Sequence, residues 1–188
     1  NISKSNFFNV LSRRGVAEFV MKKAYYLDVN SFEGVKDFIR SENDNKAILI
    51  NNKENFRIPL TDLKSLLVQF NFYLALPGIF IPQSHNLIEA MSVGCIPVIH
   101  ENYGSLFTPA LQHMKNAVFY NSLEELDTKL LGLFNLDETI ICAMRNNVYQ
   151  YYEKYLSPNS IVNIIASNDF SKIYIQAEQK SLEFLYKK

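Results

Sequence analysis

Five nonpolar residues in a row, Cys95-Ile96-Pro97-Val98-Ile99, run into His100 with no polar alternation. A strand with one face in water alternates polar and apolar residues. A strand covered on both faces does not. The segment KAILIN (46–51) has the same continuous character. AYYLDV (24–29), NFYLALPG (71–78) and NAVFYN (116–121) are further strand candidates. Pro97 lacks a backbone donor, so it must sit near the start of its strand or face a side where no ladder bond is needed. Strands buried on both faces need helices to cover them, and the intervening segments supply them.

Residues 7–23 are helix-like, with Gly15 as a weak point. Ser31 can cap a helix that places Phe32, Val35, Phe38 and Ile39 on one face. Thr61 can cap DLKSLLVQF, with Leu63, Leu66, Leu67 and Phe70 as its apolar stripe. Ser84 or Asn86 can start a helix over about 87–93, which Gly94 ends. Ser122 and Glu125 form a capping box before LDTKLLGLF. Asp137 can cap the long helix that SPNS then breaks, and 160–166 looks helical. The order α-β-α-β-α-β-α-β-β-α-α predicts an α/β fold, a Rossmann-like doubly wound parallel sheet. Residues 1–166 form the expected domain, and 167–188 are a tail that fits helix or strand equally.

The formal net charge is zero, which argues against a general nucleic-acid binder. Cys95 and Cys142 sit among apolar neighbours in sequence and offer neither zinc spacing nor a disulfide framework. Both are expected as reduced core thiols, which points to a cytoplasmic protein with room for a peripheral place at a membrane. No apolar run reaches the roughly 18 residues of a membrane span. There is no Asp-x-Asp, and His85, His100 and His113 lack paired ligand spacing, so no metal is expected. No P-loop, GxGxxG or Ser/His/Asp set is present to suggest a kinase, dehydrogenase or hydrolase.

Open α/β sheets bind ligands beyond the carboxyl ends of their strands. Pro77-Gly78 marks such an end, and the helix that follows begins with Ser84-His85-Asn86. Unpaired N–H groups at its start, with these three side chains, suit an anion such as a diphosphate. Glu89 lies one turn further along, on the face of His85 and Asn86. A carboxylate accepts from a ribose diol but repels phosphate. His100 and Glu101 end the next strand and can line the same cleft. Each of these residues also has a plainer role open to it: a surface carboxylate, a cap, a structural histidine. Residues 102–107 can be a mobile loop or a connector.

The stretch FYLALPG…SHNLIEAMSVGCIPVIH resembles the donor-binding, C-terminal half of GT-B glycosyltransferases, most closely exostosin-like enzymes. The shared pattern is a strand ending in Pro-Gly (72–78), a polar loop (84–86), Glu89-Ala90-Met91, and Gly94-Cys95-Ile96-Pro97-Val98-Ile99. It covers 72–101 most closely and continues to about 160. The resemblance implies that Glu89 holds the donor ribose, and that Ser84, His85, Asn86 and Gly78 lie near the diphosphate. It implies a UDP- or GDP-linked sugar as donor substrate, no separate cofactor, and a glycan or polysaccharide acceptor. It also implies an N-terminal partner domain that carries the acceptor site and general base. Asn1 is not Met, and the expectation is a piece of a longer protein.

Two positions depart from the pattern. Ile81 stands where many retaining members carry a second Glu, and Asn86 stands where exostosin-like proteins often carry Arg. The diphosphate then needs a cation from elsewhere, with Arg13, Arg14, Lys53 and Arg57 as candidates. An epimerase-like enzyme of the same fold and a non-catalytic interaction module are the alternatives.

Overall fold

The computed structural model describes residues 11–41, 47–50, 56–76 and 84–168. Within them the chain is α/β, with five parallel strands and eight helices. The elements are α1 (Arg13–Val20), β1 (Tyr26–Leu27), α2 (Phe32–Arg40), β2 (Ile48–Leu49), α3 (Leu60–Leu67), β3 (Phe72–Leu74) and α4 (His85–Met91). They continue as β4 (Ile96–His100), α5 (Glu101–Gly104), β5 (Val118–Tyr120), α6 (Leu123–Leu133), α7 (Glu138–Tyr155) and α8 (Pro158–Ser167). Among the described residues no helix is long and apolar enough to cross a membrane.

The strands fall into two sheets, β1-β2 and β3-β4-β5, each in chain order. Among the described residues neither sheet shows the order reversal of a doubly wound sheet. Tyr26 pairs with Ile48, Phe72 with Ile96, and Val98 with Val118. The unalternating run at 95–100 becomes the central strand β4, with all five residues buried. Pro97 sits second in this strand. The bonds toward β3 come from its neighbours: Ile96 N–H donates to the Asn71 carbonyl at 2.8 Å, and the Val98 carbonyl accepts from Ala75 at 2.9 Å. The missing proline donor therefore costs that ladder nothing.

The core gathers on this sheet. Val16 and Val20 of α1, Leu87 and Met91 of α4, Leu126 and Leu130 of α6, and Ile141, Met144 and Val148 of α7 pack with Ile96, Val98 and Ile99. Each such side chain contributes roughly 1.5–3 kcal/mol on burial. A second cluster, Leu67, Ala90 and Cys95, joins α3 to α4 beneath Tyr73.

Several expectations shift. The first helix occupies Arg13–Val20, and 7–10 lie outside the described residues. Its Gly15 is in the first turn, where its N–H donates to the Ser12 cap. Thr61 does not cap α3: Pro59 stands at that position with no side-chain bond, and Thr61 is already helical. The interval between β4 and β5, read as two successive strands, holds the one-turn helix α5, because a parallel pair needs a crossover. Pro158 both breaks α7 and opens α8, with Ser157 as cap and proline in the first turn. Cys95 is buried, its thiol pushed up to about 12 by desolvation. Cys142 is exposed on α7, contrary to the expected core position, because it falls on the water face of that helix.

The helix caps otherwise follow the sequence. Ser31, Ser122 and Asp137 accept from Gly34, Glu125 and Thr139 N–H groups. Glu125 completes its box one residue early, accepting from Asn121 N–H at 2.9 Å. At the end of α4, Gly94 N–H donates to the Met91 carbonyl and Cys95 N–H to the Ala90 carbonyl, both at 3.0 Å. This is a Schellman ending, and Gly94 takes the left-handed conformation, φ 75°.

A Cβ on Gly94 would also stand 3.2 Å from the Arg145 carbonyl oxygen. Gly94→Ala should therefore lower unfolding free energy by about 1–3 kcal/mol. Gly132→Ala, in α6 with nothing within 4 Å of the added carbon, should raise it by up to about 1 kcal/mol. Urea denaturation of the two variants beside the parent checks both signs.

Candidate functional site

β3 ends at Leu74, and α4 follows it in the chain and packs on β4. Ser84 is the N-cap: its backbone is extended, and its Oγ accepts from Leu87 N–H at 3.4 Å. The choice left open between Ser84 and Asn86 is thereby settled. His85 opens the helix and is exposed, and Asn86 and Glu89 are half-buried on the following turn. Seven residues make fewer than two turns, so α4 builds only a small dipole and the side chains matter more. Gly78 and Ile81 lie outside the described residues.

Glu89 holds the sharpest feature of this edge. Its Oε2 is shielded from solvent and has no hydrogen-bond partner among the described residues. A buried polar atom left unpaired costs about 1–3 kcal/mol, more when charged. The backbone around it is satisfied, since the Glu89 carbonyl accepts from Ser92 Oγ at 2.7 Å.

Tyr73, in the middle of β3, enters this neighbourhood from below. Burial pushes its phenol up from the ordinary value. The Arg13 guanidinium opposes that rise, as does the Asn86 amide against its hydroxyl, and Glu89 adds to it. Three side chains named in the sequence reading thus act on the Tyr73 phenol: Arg13 from α1, and Asn86 and Glu89 from α4. Reading the sequence picked out the last two and held Arg13 as one of four cations. It took Tyr73 only as a strand residue. The signal was a phenol within an apolar strand just before the motif.

The other candidate cations separate clearly. Arg14 Nε donates to Glu18 Oε1 at 2.5 Å on the solvent side of α1. Arg57 is exposed, and Lys53 lies outside the described residues.

His100 is brought to the carboxyl end of β4 but is committed to the fold. It caps α5, with Nδ1 accepting from Asn102 N–H at 3.2 Å. Its ring lies 5.7 Å from those of Tyr103 and Tyr120. Burial holds its pKa below 6.5, against the Asn121 carbonyl and the Glu101 and Glu125 carboxylates, which favour the charged form. Glu101 is exposed and accepts from the Asn121 amide at 2.8 Å. The span 102–107 is part helix and part connector, with Tyr103 and Phe107 in the core.

No protein-family profile matches the chain, and no curated protein or solved structure shows significant similarity to it.

The histidine geometry sets a pH dependence. The folded-state pKa of His100 lies below its unfolded value, so the unfolded chain takes up the proton first as pH falls. Stability is then full above about pH 6.5 and declines below it. His113 adds to the same trend, depressed first by desolvation and then by Lys129. His100→Asn keeps a capping acceptor without the titration, and thermal melts between pH 7.5 and 5 should show a shallower decline than the parent.

Proposed function

We propose that the chain is the nucleotide-sugar-binding domain of a glycosyltransferase, Rossmann-like and of the GT-B, exostosin-like type. The observation that carries this is the Glu89 Oε2 on α4, shielded from solvent and without a hydrogen-bond partner among the described residues. An acceptor that the described residues leave unpaired suits a ligand that brings donors, and a ribose 2′,3′-diol brings two. The resemblance of the motif from 84 to 99 assigns that carboxylate to the ribose. The parallel β3-β4-β5 sheet supports the reading, since α/β proteins commonly hold ligands beyond the carboxyl ends of such strands.

The chemistry assigned to this domain is holding and orienting. Glu89 accepts from the ribose hydroxyls. Ser84, His85 and Asn86, with the Tyr73 hydroxyl beside Asn86, border the diphosphate. Fixing the donor converts an encounter between two molecules into attack within one complex. Polar groups aimed at the diphosphate favour its departure as charge builds up. The acceptor and its general base belong to the partner domain, and the product is a sugar joined to a hydroxyl of a glycan or polysaccharide.

Calorimetry of the full chain against UDP-, GDP- and CMP-sugars should give binding to at least one of them. Heat from none would sink the proposal and leave an interaction module. Glu89→Ala should weaken binding by about tenfold to a hundredfold, the range of a hydrogen bond to a charged group. The exposed Glu124→Ala should leave it unchanged. Glu89→Leu removes the unpaired oxygen and should raise the melting temperature while abolishing binding. A fall in melting temperature would mark Glu89 as a structural carboxylate.

A further inference from the structure

We propose that the outer edge of β5 is a strand-pairing surface for a second copy of this chain, and that His113 is a latch that keeps it shut until its imidazole is protonated. β5 ends the β3-β4-β5 sheet on the side opposite β3. An edge strand leaves a row of backbone donors and acceptors open to pairing with another chain. Here neighbouring groups block that row one by one. His113 bridges to Ala117, and Met114 N–H donates to the Ala117 carbonyl at 2.8 Å. Phe119 N–H donates to His113 Nδ1 at 2.9 Å, and Asn121 N–H to Glu125 Oε2 at 2.9 Å. The imidazole also stacks on the Phe119 ring, with centroids 5.8 Å apart. Phe119 N–H therefore points away from β4, and in a strand the carbonyl of the same residue points the same way.

The central block is the one that acid removes. A neutral histidine that accepts at Nδ1 carries its proton at Nε2. That Nε2 lies 3.4 Å from the Lys129 ammonium of α6, itself a donor. A second proton must go to Nδ1, where it meets Phe119 N–H, donor against donor. The bond is then lost and the ring has to leave the edge. Partial desolvation and Lys129 resist that proton, while Glu125 of α6 and Glu101 of α5 favour it. These neighbours count one ammonium against two carboxylates, and the protonated imidazole balances them. Acid thus opens the edge and evens the charge around it in one step. What the opened edge fits is itself. Two copies related by a two-fold axis set Phe119 against Phe119 in antiparallel register, each donating its N–H to the other's carbonyl.

Sedimentation velocity of the full chain at pH 7.5 and pH 5, over a range of concentrations, tests both halves. The parent should be monomeric at pH 7.5 and rise toward about twice that mass at pH 5, with its far-UV helix signal retained. His113→Asn keeps an acceptor near the Nδ1 position without the titration, and should stay monomeric at both. His113→Phe keeps the ring on Phe119 and removes the acceptor, and should associate at both. His100→Asn should behave as the parent. Hydrogen exchange locates the surface: at pH 5 the Phe119 amide should exchange more slowly as protein concentration rises. A parent of the same mass at both pH values, or one that loses its helix signal before it associates, would overturn the proposal. So would acid association of His113→Asn equal to the parent's, or a folded His113→Phe that is monomeric at pH 7.5. Mass growing past a dimer, or association that leaves Phe119 exchange unchanged, would overturn the two-fold pairing at β5.

Discussion

The placement of the candidate site depends on one contact between α7 and the turn that ends α3. The Arg145 guanidinium donates to the Val68 carbonyl at 3.0 Å, the Phe70 carbonyl at 3.2 Å and the Asn71 side chain at 2.7 Å. The Phe70 carbonyl also accepts from the buried Cys95 thiol at 3.0 Å. This turn launches β3, so its position sets where β3 reaches the carboxyl edge. The backbone of the same arginine meets Gly94, whose lack of a side chain lets α4 end against α7. One residue on α7 therefore fixes the start of β3 and the end of α4, the two elements that carry Tyr73, Asn86 and Glu89.

Much of this was legible locally. The unalternating run at 95–100 announced a strand covered on both faces, and β4 is buried throughout. Ser31, Ser122 and Asp137 announced their helices because a cap is a bond between residues two or three apart. Gly94 announced a left-handed ending for the same reason. α5 stayed hidden because four residues carry no periodicity, and its cap is a histidine, which local rules do not favour. Cys142 was misplaced because apolar neighbours in sequence do not fix the face of a long helix. The division into two sheets was also hidden, since strand order is set by packing between distant segments.

The site divides in the same way. Glu89 and Asn86 share a helix face, and their spacing alone shows it. Tyr73 lies on the preceding strand, and helix periodicity does not report across the interval between them. Arg145 is a purely tertiary tie: nothing in MRNNVYQ says that its guanidinium closes the turn at 68–71. Positions that act through backbone geometry could be read from the sequence, while those that act through long side chains needed the fold.

The two ends of α4 are held differently, and this bears on what the helix can do. Its carboxyl end is locked by the Schellman bonds, by Ala90 and Cys95 in the core, and by the approach to Arg145. At its amino end Ser84 accepts, through Oγ from Leu87 N–H at 3.4 Å and through its carbonyl from the Leu87 and Ile88 N–H groups at 3.1 and 3.4 Å. Glu89 lies in the locked half, so its backbone is held by the same bonds. Its Oε2, shielded and without a hydrogen-bond partner among the described residues, carries a desolvation cost. Removing such a cost on binding is differential stabilisation: the ligand favours the state in which the oxygen is paired. Ser84, His85 and Asn86 lie in the less constrained half, where small adjustments are cheap. On the proposed reading, the ribose end of the nucleotide meets a preformed acceptor and the phosphate end meets groups that can settle around it, with specificity arising mainly at the fixed end.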